Sequence, residues 1–147
     1  MGRLQRVDGG GLSIQLGALR VGGFPLLQAG RTRHAHGGGG NILFTGATSS
    51  IRGRKGAPAF SSAKFAVRGL ADALARELWP QGVHVAHIVV DGIIDTAAVR
   101  AEMSSTASEP LLNPDEMAET YWALTRQKPS AWTYELELRP KGEAFFV

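Results

Sequence analysis

The sequence contains no cysteine, so disulfide bonds and thiolate metal sites are excluded. A chain without cysteine is compatible with both reducing and oxidising compartments. It also lacks any apolar run near the roughly 18 residues that a membrane-spanning helix needs. The basic residues are scattered, so the net charge of +3 is weak support for a nucleic-acid partner. No compact apolar segment followed by a small-residue cleavage site is present near the start. We therefore expect a cytoplasmic protein without a nucleic-acid or membrane partner.

Glycine is concentrated at the start of the chain. Twelve of the 19 glycines fall within residues 1–40, where they raise the entropic cost of ordering the backbone. His34 and His36 lie in this stretch, and we interpret them as solvated loop residues rather than metal ligands. These features predict that residues 1–40 are a glycine- and arginine-rich leader with irregular or poorly ordered structure. Residues 41–147 are then the folded unit.

From residue 41 onward, apolar residues recur with strand and helix periodicity. Pro80 and Gly82 end one predicted helix, and Asn113 with Pro114 begins another. The resulting order predicts a parallel sheet between helices, which is the α/β class. The predicted elements are a strand over 41–46, a helix over 60–79, a strand over 83–90, a helix over 113–127 and a strand over 131–138.

Several segments in this half resemble one enzyme family, the short-chain dehydrogenases/reductases, over residues 41–138. The matching segments occur in the family's order and spacing, so together they are more specific than any one of them. The resemblance is to a branch with Phe in place of the family's catalytic Tyr. The segments are Phe60-Ser61-Ser62-Ala63-Lys64 at the Tyr-x-x-x-Lys motif, residues 70–78 of the same helix, the strand 82–90, the loop Asp91-Gly92-Ile93-Ile94-Asp95-Thr96, and the ending Trp132–Pro140.

The resemblance implies a partial Rossmann-like three-layer fold, the C-terminal half of a doubly wound domain. Residues 45–53 superficially resemble the family's phosphate loop, but Ser50 and Arg52 occupy places where that loop needs glycine. We therefore interpret residues 41–46 as the family's fifth strand. The first half of the cofactor-binding fold is not recognisable in residues 1–40, so the chain is expected to be truncated relative to the family.

The resemblance also implies roles for individual residues. Lys64 matches the lysine that holds the ribose, and Phe60 stands where the phenol would exchange a proton with the substrate. A phenyl ring has no proton to give. Ala47 occupies the place of the family's serine, which leaves Ser49 as a weak substitute. The alternative, that Ser49 and Ser50 satisfy loop backbone groups, is favoured.

The loop after strand 83–90 resembles the segment that lies against the nicotinamide, which implies cofactor contacts for Gly92, Ile94 and Thr96. Asp91 replaces the family's usual proline. Asp91 and Asp95 form either a carboxylate pair for acid–base work or, as we favour, separate loop caps. Two histidines on the preceding strand, His84 and His87, are three residues apart and are expected to face opposite sides.

The sequence therefore predicts an NAD(P)-dependent oxidoreductase homologue acting on a carbonyl or an alcohol. Little or no activity is expected from this chain, and NAD(P) binding by it is expected to be weak. NAD and NADP are both compatible. The alternative is a non-catalytic pseudoenzyme or interaction fragment that forms a homo-oligomer through the helix 60–79. An unpaired edge of strand 41–46 would favour such association.

Overall fold

The structure, a computed structural model, describes residues 39–103 and 109–143 and the backbone of five short strands before them. His34 and His36 lie outside the described residues, and the leader boundary stays a prediction. The helices are α1 (Pro58–Leu78), α2 (Ala97–Glu102) and α3 (Pro114–Thr125). The strands are β1 (Gln5–Val7), β2 (Gly11–Ser13), β3 (Arg20–Val21), β4 (Phe24–Pro25), β5 (Gly30–Arg33), β6 (Gly40–Thr45), β7 (Val83–Val90), β8 (Ile93–Ile94), β9 (Leu111–Leu112) and β10 (Glu135–Leu138).

A four-stranded sheet in the order β10-β7-β6-β5 is the centre of the fold. β6, β7 and β10 run parallel, which confirms the predicted α/β class with a parallel sheet. β5 pairs antiparallel with β6, so the expectation that this edge of β6 is unpaired was wrong. Backbone pairing requires no apolar pattern in the partner, and the glycine-rich composition before residue 40 gave no strand signal. β8 and β9 form a separate parallel pair.

α1 begins two residues earlier than predicted, because Pro58 is compatible with the first helical turn. It ends at Leu78, where a 3₁₀ turn over Trp79–Gln81 follows and Gly82 adopts a φ of 80°. One face of α1 covers the sheet, and this face is made of small and branched apolar residues at helical spacing. Its buried residues include Ala63, Val67, Ala71, Leu74 and Leu78.

Helices cover both faces of the sheet. Seven of the eight residues of β7 are buried, as expected for a central strand of a parallel sheet. Phe44 and Val85 pack against α1 in one apolar cluster, whereas Ile88 and Leu124 of α3 lie in a second. The result is the expected helix–sheet–helix layering, in which the carboxyl ends of three parallel strands meet at one edge.

The last strand is shorter than predicted. β10 starts only at Glu135, and a 3₁₀ turn occupies Pro129–Ala131. A continuous strand over 131–138 would place Tyr134, Leu136 and Leu138 on one side, but Tyr134 packs against the α1 cluster, whereas Leu136 and Leu138 pack against the α3 cluster. The reason is that Tyr134 precedes the strand, and the two-residue alternation does not extend back to it.

Candidate functional site

Lys64 and Phe60 lie one turn apart on α1, as the motif predicts. The Lys64 Nζ donates a hydrogen bond of 3.1 Å to the backbone oxygen of Thr45, at the carboxyl end of β6. It also lies 5.7 Å from the centre of the Phe60 ring, within the range of a cation–π contact. Burial lowers the pKa of Lys64 from its usual value. The ammonium group is therefore held at the sheet edge where ligands of open α/β sheets bind.

Phe60 has 37% of its surface exposed, so its ring is open to solvent beside Lys64. A hydrocarbon ring at this place exchanges no proton. Lys64 has three donor hydrogens, and the bond to Thr45 uses one of them. What remains at this position of α1 is a partly buried cation with spare donors, next to a phenyl ring in place of the phenol.

The loop after β6 buries two hydroxyl groups. Ser49 and Ser50 lie in a 3₁₀ turn and are 3% and 0% exposed. The backbone N–H of Ala47 donates to Ser50 Oγ at 3.0 Å, so Ser50 satisfies loop backbone as the favoured interpretation predicts. A role for Ser49 in a reaction stays a prediction. α1 begins only at Pro58, whereas a phosphate loop leads directly into its helix.

Asp91 lies at the carboxyl end of β7 and joins two neighbouring segments. Its carboxylate accepts a hydrogen bond from the Thr48 hydroxyl and forms an ion pair with Arg139. Asp95 instead pairs with Arg100, and the hydrogen bond from that guanidinium lowers the pKa of Asp95. The two carboxylates thus have separate partners, which favours the loop-capping interpretation over an acid–base pair. The contact between Thr48 and Asp91 was not predicted.

The three residues expected to line the cofactor follow Asp91. Gly92 has a φ of 148°, and a Cβ there would lie 2.8 Å from Pro140 Cδ, so only glycine fits. Ile94 belongs to β8 and packs against the α3 cluster. Thr96 caps α2 by accepting a 3.2 Å hydrogen bond from the Val99 N–H. Their placement follows the predicted loop, and their contacts with a cofactor stay predictions.

A charged network between the sheet and α1 was missed from the sequence. His87 is fully buried in β7, and its Nδ1 lies 2.8 Å from a carboxylate oxygen of Glu135 in β10. Arg68 of α1 donates two hydrogen bonds of 2.8 Å to the same carboxylate. Burial is the main cause that lowers the pKa of His87, and the Arg68 hydrogen bond is the main cause that lowers the pKa of Glu135.

His84 has different partners from His87. Its Nε2 lies 2.8 Å from the Thr133 oxygen, and its ring stacks on Trp132 with centroids 4.9 Å apart. Within residues 39–103 and 109–143, no three side chains of the metal-ligating types come together as a metal site would require. In the same ranges, every helix is too short or too polar to cross a bilayer.

The family model of the short chain dehydrogenases matches residues 21–107 of this chain, which is more than half of its length. The chain therefore belongs to the short-chain dehydrogenase family. The match begins before residue 40, within the stretch expected to be a leader. No curated protein matches the chain significantly.

One solved structure of higher identity agrees with this assignment, and two of lower identity share the fold. A short-chain dehydrogenase from Rhodopseudomonas palustris is 43% identical, with a TM-score of 0.54 over 70% of this chain and 39% of that protein. A serine dehydrogenase complexed with NADP+ is 20% identical, with a TM-score of 0.62 over 72% of this chain and 46% of that protein. An alcohol dehydrogenase from Thermococcus sibiricus, complexed with 5-hydroxy-NADP, is 24% identical, with a TM-score of 0.61 over 74% of this chain and 45% of that protein. The chain thus spans less than half the length of these proteins.

Proposed function

We propose that this chain is an NAD(P)-dependent oxidoreductase homologue for a carbonyl or alcohol substrate, whose own activity is low or absent. The observation that carries the proposal is the pair on α1: Lys64 bonded at the carboxyl end of β6, and a phenyl ring at Phe60 beside it. Family membership supports the reaction class. NADP+ and 5-hydroxy-NADP in two solved fold neighbours support NAD(P) as the cofactor.

The donor chemistry of the described residues fits the nicotinamide end of such a cofactor. Lys64 would hold the ribose hydroxyls with its remaining donors, and Thr96, whose bond to Val99 uses only an oxygen lone pair, keeps a hydroxyl hydrogen for a carboxamide oxygen. Gly92 and Ile94 would line the same loop. When bound, the cofactor would supply or accept the hydride.

Low activity follows from the missing acid. General acid–base help is worth roughly 10²–10⁴-fold in rate, and Phe60 provides none. Binding is also expected to be weak, because no glycine loop leads directly into a helix within residues 39–103 and 109–143. In the extreme case of this proposal, the chain is a pseudoenzyme that retains Lys64 but does not catalyse the reaction.

Restoring the phenol tests the proposal. We expect Phe60→Tyr to raise the rate of NAD(P)H oxidation with a panel of aldehydes and ketones by about 10²–10⁴-fold over the wild type. Phe65→Tyr is the matched control, since Phe65 lies on the same helix and is 45% exposed. It is expected to behave as the wild type.

Two results would contradict the proposal. If the wild type and Phe60→Tyr oxidise NAD(P)H at the same measurable rate, the loss of the acid is not what limits the chain. If neither protein shows a change in tryptophan fluorescence with millimolar NADPH or NADH, the cofactor assignment fails.

We also propose that the chain forms a homo-oligomer through α1. Gly69 is exposed in the middle of this helix, and a Cβ there would meet nothing within 4 Å. A glycine in this position costs about 1 kcal/mol relative to alanine and is not required by this chain's own packing. The exposed residues around it are small or aromatic, which favours close approach of a second helix. They are Ser62, Phe65, Ala66 and Ala73.

Light scattering tests this contact. We expect the wild type to be dimeric or larger and Ala66→Arg to be monomeric at the same concentration, because a buried unpaired guanidinium is costly at a helix–helix contact. Ala118→Arg, at an exposed alanine of α3, is the matched control and is expected to keep the wild-type mass. A folded monomeric wild type would remove the proposal.

A further inference from the structure

His87 holds one imidazole nitrogen in a hydrogen bond and leaves the other without a partner. The side chain is fully buried, and Nδ1 faces the Glu135 carboxylate at 2.8 Å. Because an ionised carboxylate only accepts, neutral His87 carries its hydrogen on Nδ1. Its Nε2 is then a bare acceptor, and it has no hydrogen-bond partner among the described atoms.

The bare Nε2 lies against Gly46. A Cβ built on Gly46 would be 2.3 Å from this nitrogen and 2.7 Å from Ser50 Oγ, so the backbone packs directly onto the imidazole. A hydrogen on Nε2 would point into this same tight contact. The nearby Ser50 Oγ accepts from the Ala47 N–H, so one of its two lone pairs is already used.

The peptide group between Thr45 and Gly46 is held at both ends. Its N–H donates to the Ile88 oxygen at 2.7 Å, and its carbonyl oxygen accepts the hydrogen bond from Lys64. Any displacement of Gly46 from His87 therefore also moves the acceptor that positions the Lys64 ammonium.

Charged groups face His87 from two packed elements. Glu135 comes from β10, and Arg68 and Lys64 come from α1, whereas Gly46 and Ser50 on the remaining side do not titrate. Protonation would add a third cation beside one carboxylate in a buried position. Burial chiefly, and then Arg68 and Lys64, lower the pKa of His87, while the bond to Glu135 raises it.

We propose that His87 is a proton-controlled latch on the Thr45–Gly46 peptide. The neutral imidazole allows Gly46 to pack against it, and the imidazolium displaces the peptide and releases Lys64 from Thr45. The latch is closed at neutral pH and opens on acidification. It does not depend on the proposed enzymatic function, since it concerns only contacts within the chain.

Native-state hydrogen exchange tests the latch. We expect the protection factor of the Gly46 amide to fall by about five- to tenfold between about pH 7.5 and about pH 5.5. The amide of Ala71, buried in α1, reports global unfolding, and the Gly46 amide is expected to stay less protected than Ala71 at both pH values, which separates a local opening from global destabilisation. His87→Asn keeps a donor for Glu135 and does not titrate, so its Gly46 protection is expected to be independent of pH. His84→Asn is the control and is expected to follow the wild type.

A wild-type Gly46 amide whose protection does not change with pH would overturn the latch, as would an unchanged pH dependence in His87→Asn. If His87→Asn does not fold, imidazole ¹⁵N shifts of the wild type provide a second test. We expect them to show the Nδ1–H form at neutral pH and to titrate together with the Gly46 and Lys64 resonances. Titration of His87 without movement of those resonances would also reject the latch.

Discussion

Single residues of the ending Trp132–Pro140 each meet a particular residue on or just after β7. Trp132 stacks on His84, and Glu135 bonds His87. Further along, the Arg139 guanidinium pairs with the Asp91 carboxylate, and the Pro140 ring fills the space that a side chain at residue 92 would need. These contacts show that the ending packs against β7 and the residues after it, which the resemblance alone did not indicate. The ending therefore stabilises the strand whose carboxyl end leads into the candidate cofactor loop.

Gly46 offers a sharp test of close packing at one residue. We expect Gly46→Ala to lower the free energy of unfolding by about 1–3 kcal/mol, because the added methyl group would overlap the buried His87 ring and Ser50 Oγ. Gly53→Ala is the matched control, since the space around its Cβ is open and its φ is not positive, and it is expected to gain about 0.4–1 kcal/mol from a less flexible unfolded chain. Urea unfolding of the two variants measures both effects, and equal shifts in the same direction would contradict this account.

Elements whose ends depend on neighbouring residues were predictable, and elements that depend on distant partners were not. β7 was predicted at Val83–Val90 as observed, and Asn113 caps α3 by accepting from the Asp115 N–H at 2.9 Å. β5 was missed because its pairing with β6 is a backbone contact with no side-chain signature. β10 was predicted too long because its start depends on contacts with β7, far away in the sequence.

The candidate site likewise has one part that a local motif predicts and one part that depends on residues far apart in the sequence. The placement of Lys64 near Phe60 follows from one helical turn, so a local motif predicts it. The bonds from Glu135 to His87 and Arg68 span 48 and 67 residues, and no local pattern pairs them. Nonlocal polar networks of this kind need the assembled fold, and they are the part of the site that the sequence did not provide.

At the scale of elements, Glu135 is the link that joins β10, β7 and α1. We expect Glu135→Gln to lower the free energy of unfolding by about 1–2 kcal/mol, because two charge-assisted hydrogen bonds from Arg68 and one from His87 lose their carboxylate partner. Arg68 is partly exposed and regains some hydration, which keeps the loss moderate. Chemical denaturation measures the change.

Glu137→Gln is the control for this prediction, since Glu137 is an exposed carboxylate on the same strand and bonds Arg139. We expect it to change stability by less than about 1 kcal/mol, as is typical of surface ion pairs. A loss of stability in Glu137→Gln as large as that in Glu135→Gln would show that the contacts of Glu135 with β7 and α1 contribute no more to stability than a surface ion pair.

For the whole molecule, the parallel sheet and its two helical layers place three strand ends and one lysine at the same edge. The chain does so although it spans less than half the length of the solved relatives. The charged network between α1 and the sheet lies beneath that edge, so its protonation is coupled both to the stability of the fold and to the position of Lys64.

This coupling predicts how stability depends on pH. The pKa of His87 in the folded chain is lowered from 6.5, so the unfolded chain binds its proton first and the free energy of unfolding decreases as the pH falls below about 6.5. The pKa of Glu135 is lowered from 4.5, so its contribution is complete above that pH and is lost only as the pH falls through its lower folded value. We expect urea unfolding from about pH 8 down to about pH 4 to show the decrease caused by His87 in the wild type but not in His87→Asn. The decrease caused by Glu135 is expected to begin near the acid end of this range in both proteins. An identical decrease near pH 6 in the two proteins would show that other groups carry the acid sensitivity.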